Sequence, residues 1–113
     1  MENKVSALIF KTNGEMVDVE YNDPIELLEI QHTIGGYIEA IFILPEGKVM
    51  LVNKDGKGKD LEPNLNATAY LKATMDFDNA TAYLKATTDF DDVIVGDAIL
   101  LESKDFKLVM QFL

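Results

Sequence analysis

The chain has 113 residues, with 20 acidic side chains against 10 lysines, no arginine and no cysteine, and a formal net charge of -10. That length suits one domain spanning residues 1–113, and 48% hydrophobic residues supply material for a single core. The missing cysteine excludes disulfides, thiolate metal sites and a cysteine nucleophile, while the charge and the missing arginine argue against direct binding to a phosphate backbone.

In chain order, Val5 to Phe10 reads as a buried strand, and Thr12-Asn13-Gly14-Glu15 as a hairpin turn. Met16 to Tyr21 alternates Val17, Val19 and Tyr21 with Asp18 and Glu20, the period of a half-buried strand. Asp23 as cap and Pro24 at the first helical position predict a helix over about residues 24–34, with Leu27, Ile30 and Ile34 on its apolar face. Gly35-Gly36 ends it. Strands are then predicted at Tyr37 to Leu44 and Val49 to Asn53, with a turn at Pro45-Glu46-Gly47-Lys48 and a polar loop from Lys54 to Asn64. The last strands are predicted at Val93 to Leu101, with Gly96 as a bulge or sharp bend, and at Phe106 to Phe112.

Between them lies a tandem duplication. Residues 66–78 recur at once as residues 79–91 with one change, Met75 against Thr88. Each copy reads as a short helix, Asn66 or Asn79 capping an alanine-rich body. A shift of 13 residues turns a helix by about 1300°, or roughly 220° beyond whole turns. Tyr70-Leu71 and Tyr83-Leu84 therefore cannot serve one face of a straight helix. Two helices, or one docked copy with the other displaced, fit the pattern.

Four segments, in this order and spacing, resemble a small family found largely in phage and prophage genomes, domain-of-unknown-function family 3846. They are Gln31 followed by Gly35-Gly36-Tyr37-Ile38-Glu39, the turn Asn53-Lys54-Asp55-Gly56-Lys57, Leu61 with Asn64 or Asn66 and Ala67, and Asp92 to Leu101 with its Gly96-Asp97 pair. The resemblance spans roughly residues 4 to 102. Removing one repeat copy restores the family's usual spacing, so the duplication reads as an insertion into a complete domain. The resemblance implies a compact α+β fold and a mobile-element setting, and it brings no catalytic residues.

No constellation of catalytic or metal-binding residues stands out. His32 is the sole histidine and sits near a helix end, where a positive charge is favourable. Ser6 and Ser103 lack a nucleophile-elbow context. Asp76, Asp78, Asp89, Asp91 and Asp92 match no calcium-loop spacing and read as solvated helix ends. Residues 55–60 lack the Gly-Lys-Ser/Thr ending of a phosphate loop. Gly35-Gly36 follows a helix rather than a strand, unlike a dinucleotide fingerprint. Tyr37, Glu39, Asn53, Asn64 and Asp97 are the polar residues nearest the family-like motifs and form the candidate binding set, with satisfaction of backbone groups at element ends as the alternative role for Tyr37 and Asn64.

The expected fold is α+β, a curled and mainly antiparallel sheet of five to seven strands with one helix at about 24–34 and one or two short helices in the repeat (66–78, 79–91). The expected function is non-enzymatic: a phage, prophage or mobile-element accessory protein binding a basic host protein through an acidic surface, for example in counter-defence, or else a small-ligand-binding or assembly module with a site near Tyr37 and Asp97. No cofactor or metal is expected and no direct nucleic-acid partner, and no membrane either, since no stretch approaches the roughly 20 apolar residues of a spanning helix. Met1-Glu2-Asn3-Lys4 leads straight into the first apolar run, so no cleavable leader is read and the host cytoplasm is the expected location. If the repeat is an insertion, deleting residues 79–91 leaves a cooperatively folding domain. A molten product, seen as loss of the thermal transition in near-UV circular dichroism, would overturn the insertion reading.

Overall fold

A computed structural model describes residues 4–43, 46–56, 58–74 and 93–110, with side-chain detail through residue 106. Strands β1 (Lys4–Phe10) and β2 (Met16–Asn22) form a hairpin, helix α1 spans Leu27–Ile34, and β3 (Ile38–Ile43) and β4 (Lys48–Asn53) form a second hairpin. Helix α2 (Leu65–Thr74), strand β5 (Ala98–Glu102) and helix α3 (Ser103–Met110) follow. The sheet is open, antiparallel throughout and ordered β2-β1-β5-β4-β3. The class is α+β. Of the second repeat copy and of the Asp76 to Asp92 cluster, all lie outside the described residues.

The last strand closes the fold. β5 enters between the two hairpins, pairing Ile99 with Ile9 on one side and with Leu51 on the other. Its four apolar residues Ala98 to Leu101 are all buried, as are the five residues Val49 to Asn53 of β4. Strands buried on both faces read as continuous apolar runs, because helices cover both sides. One core holds Val5, Ile9, Val49, Leu51, Ile99 and Leu101 beneath Ile30 and Ile34 of α1 and Phe106 of α3. The other holds Phe10, Ile41, Met50, Val52 and Leu100 beneath Ala67 and Leu71 of α2. The outer hairpin differs: Ser6, Asp18 and Glu20 on the α2 side are exposed, giving β2 its alternation.

Three of the expected element boundaries or types require correction. Helix α1 starts at Leu27, with Glu26 rather than Asp23 at the cap position and no side-chain cap bond, and the Asp23-Pro24 peptide is cis. Ile25 explains the displacement: it is fully buried just before the cap, and Ile30, at the fourth helical position, lies fully buried in the same core. This is the arrangement of a hydrophobic staple, in which an apolar pair across the first turn sets where the helix begins. Second, the strand expected at Val93 begins only at Ala98, because Gly96 takes a left-handed φ of 79° and Val95 forms only an isolated bridge with Pro63. A Cβ on Gly96 would also stand 2.8 Å from Leu61 Cδ1.

Third, the strand expected from Phe106 is helix α3. Both flanks of β5 are already occupied, by β1 and β4, so the chain leaving β5 has no adjacent place in the sheet. Instead Ser103 N–H ends the ladder by donating to Gly47 C=O at 2.9 Å, and the chain turns back over the core. Phe106, 4% exposed, meets Phe42 edge-on at 5.8 Å between ring centroids. Phe106→Ala is therefore expected to lower unfolding free energy by about 3–5 kcal/mol, the range for truncating a buried aromatic ring. Urea denaturation checks this, and an unchanged midpoint would take α3 out of the core.

Candidate functional site

Topology gathers the sequence-selected residues at one end of the sheet. There β1 and β4 end, at Phe10 and Asn53, and β2, β3 and β5 begin, at Met16, Ile38 and Ala98. Tyr37 precedes β3 and is 69% exposed, and Glu39 is exposed within β3. Asn53, Asn64 and Asp97 lie at the same end, but β4 separates the strand that follows Tyr37 from the one that follows Asp97.

Asn64 is completely buried. Its amide Nδ2 donates to Phe10 C=O at 2.7 Å and to Gly96 C=O at 2.8 Å, while its Oδ1 accepts from Ala67 N–H at 3.1 Å. The last bond makes Asn64, not the expected Asn66, the cap of α2. Its main chain is held as well, N–H donating to Ile94 C=O at 2.7 Å and C=O accepting from Thr68 N–H at 3.0 Å. Thr68 Oγ1 also donates to that carbonyl and accepts from Ile94 N–H, at 2.8 and 2.9 Å. Asn66 instead donates to Gly14 C=O in the first hairpin turn, at 2.9 Å, and Asp97 Oδ1 accepts from Thr12 N–H at 3.0 Å. The turn between β1 and β2 is thereby tied to α2 and to the segment leading into β5.

Asn53 organises the neighbouring corner. Its Nδ2 donates to Ile34 C=O at the end of α1 at 3.2 Å, and its Oδ1 accepts from Asp55 N–H at 2.9 Å. Gly35 and Gly36 serve different needs. Gly35 takes a left-handed φ of 87° as the cap of α1, donating to Gln31 C=O at 2.7 Å. Gly36 leaves room, since a Cβ there would stand 2.8 Å from Lys59 Nζ and 3.2 Å from Asn53 Nδ2. A lysine amine beside the carbonyl end of a helix also meets its partial negative charge favourably.

Thr12 and Thr68 complete this network and were not singled out in the sequence, while Asn66, read there as a cap, joins it through Gly14 instead. Thr68 sits four residues after Asn64 on the helix that Asn64 caps, which is the available signal. His32 lies exposed in the last turn of α1. Tyr70 donates its hydroxyl to Glu46 Oε1 at 2.6 Å, and its ring packs at a tilt against Phe10, 5.6 Å between centroids. Burial first, then that hydrogen bond and the Glu46 charge, hold the Tyr70 hydroxyl far above the usual phenol range, so it remains a donor.

At the opposite end of the sheet an open depression of about 530 Å³ is lined by Lys4, Ser6, Asp23, Glu102, Lys104 and Asp105 among others. Burial raises the Asp105 carboxyl, Lys104 lowers it, and Glu102 and Asp23 raise it further. Among the described residues, no group of three or more histidines and acids could hold a metal, and no buried side-chain nitrogen or oxygen lacks a partner. No helix among them is long and apolar enough to cross a membrane.

These features define an open-sheet α+β domain whose polar end is built from asparagine amides holding main-chain groups. The family model described as Domain of unknown function (DUF3846) matches residues 5–108, and the chain belongs to that family. No curated protein and no solved structure matches it.

Replacing Asn64 tests the network. Asn64→Ala leaves Phe10 C=O, Gly96 C=O and Ala67 N–H without that amide and is expected to cost at least about 3 kcal/mol, at roughly 1–3 kcal/mol for each buried group left unmet. Asn64→Asp keeps the shape but turns a carboxylate toward two carbonyl oxygens. Burial and those oxygens raise its folded pKa above the unfolded value. The folded state then holds a proton that the unfolded state has released, so stability falls with rising pH above the unfolded pKa. The variant should gain stability relative to wild type between about pH 8 and pH 5 in urea titrations. A pH-independent difference would place Asn64 outside the buried network.

Proposed function

We propose that the chain is a non-enzymatic accessory protein of phage, prophage or another mobile element, acting by binding a basic surface of a host protein. The observation that carries this is the exposed acidic face of the β1–β2 hairpin. Asp18 and Glu20 stand exposed on an edge strand, opposite Leu8 and Ser6, on the side where α2 covers the other strands. Glu15, at the adjoining turn, is exposed as well. A net charge of -10 extends the same sign over the molecule, which favours encounter with cationic surfaces and disfavours nucleic acid. The family resemblance supplies the mobile-element setting, and blunting a host defence is the role such binding would serve.

A second reading, a small-ligand or assembly module near Tyr37 and Asp97, draws on the convergence of the candidate residues at one end of the sheet. Salt separates the two. Affinity-tagged protein should retain basic host proteins at about 0.05 M salt and release them at about 0.5 M, where exposed charges are screened within a few ångströms. Asp18→Lys with Glu20→Lys should reduce retention at least about tenfold, equivalent to roughly 1.4 kcal/mol. Retention indifferent to salt and to the double substitution would overturn the acidic-surface reading, and a salt-insensitive thermal shift with a metabolite would favour the second.

A further inference from the structure

The two edges of the sheet are unlike, and we infer that the β3 edge pairs with the β3 edge of a second copy of this chain, continuing the sheet across a two-fold axis. This goes beyond the acidic-surface reading and does not rest on it. The bond from Lys54 N–H to Tyr37 C=O, 2.9 Å, sets the phase of the β3–β4 ladder. In antiparallel pairs main-chain groups alternate in direction, so Glu39, Ile41 and Ile43 turn theirs toward β4. Ile38, Ala40 and Phe42 turn their N–H and C=O groups to the open edge, where they have no partner among the described residues. The side chains of these same three residues are partly buried at the rim of the core beneath α1 and α3.

An exposed apolar edge invites another strand, and proteins guard such edges with charges, prolines or bulges. The β2 edge is guarded. By the phase set by Lys11 N–H to Glu15 C=O, its outward main-chain groups belong to Met16, Asp18, Glu20 and Asn22. Two copies meeting there would oppose carboxylates directly, which destabilises a pair. In β3 the register runs unbroken from Ile38 to Ile43, and Glu39 is its one charged residue.

The strand is self-complementary in one register. Pairing Ala40 with the partner's Ala40 sets Ile38 opposite the partner's Phe42 on the core side, so the apolar rim of one copy meets that of the other. All three outward residues then form hydrogen-bonded pairs, and Glu39 falls opposite the partner's Ile41 rather than another carboxylate. Six residues at about 3.4 Å each give a strip roughly 20 Å long, and layers about 10 Å apart make it roughly 25 Å deep. That is about 500 Å² per copy, or about 1,000 Å² in total, the lower bound for a specific interface. The dimer therefore forms with concentration, and because both copies are strongly acidic, salt strengthens it.

Sedimentation equilibrium and light scattering on the full chain test this. The mass should rise from 12.6 kDa toward twice that value with concentration, and more readily at higher salt. Ala40→Pro removes an outward N–H that has no partner among the described residues, and should hold the protein monomeric with its thermal transition intact. Should that variant fail to fold, Ala40→Glu brings two carboxylates together on the axis and should weaken dimerisation at least tenfold at low salt, with recovery at high salt. The chain has no native cysteine, so Ala40→Cys gives a clean probe: a short bis-maleimide should crosslink it to itself, while Asp18→Cys on the other edge should stay monomeric. A wild-type protein monomeric throughout overturns the inference, as does a dimer unaffected at Ala40 or crosslinked equally through Asp18→Cys.

Discussion

The amide of Asn64 is the constraint on which the rest of the molecule leans. A side chain with two donors and an acceptor, completely buried, meets the end of β1, the glycine before β5 and the first turn of α2 at once. These three pieces are distant in sequence, and β5 must find its place between two hairpins that can each form locally. Loop closure opposes that insertion, and a buried amide with a full set of partners rewards only one arrangement. Aspartate cannot supply the donors and leucine cannot supply either function, which is why the residue type matters as much as its volume.

Once β5 is in place, the two halves of the sheet have different surroundings. Around β5 and β4 both faces are covered, and the strands are apolar throughout. Toward β2 one face opens, and the sequence alternates to match, placing Asp18 and Glu20 in water. Toward β3 the edge remains apolar, with Ile38, Ala40 and Phe42 against the core rim. Charge and an apolar strand edge thus lie at opposite margins. Pairing through β3 would leave the acidic hairpins at the two far ends of a continuous sheet, available twice over to one basic partner, so the two surfaces do not compete.

Much of this was legible in the residues. The Asn13-Gly14 turn, the alternation in β2 and the apolar runs of β3 and β4 report local preferences that tertiary structure left standing. What failed was decided at a distance. Asp23 and Pro24 carry the local signs of a helix start, yet burial of Ile25 against the core governs where α1 begins. The segment from Phe106 carries β-prone residues, but the sheet positions beside β5 were already taken by strands far earlier in the chain. At the candidate site, the motif picked out residues that the fold gathers at one end of the sheet. It did not reveal that the amides of Asn53 and Asn64 engage main-chain carbonyls, because those partners come from elements up to 54 residues away.

The duplication can be read through the same amide. The repeated unit begins at Asn66, so copying it doubles Thr68 and Leu71 as Thr81 and Leu84 but leaves Asn64 single. Two residues before the second copy stands Phe77, which has neither the acceptor to cap a helix nor the donors for Phe10 and Gly96. The feature that fixes α2 therefore lies outside what was copied. Only the first copy is preceded by the residue that joins α2 to β1 and to the approach of β5.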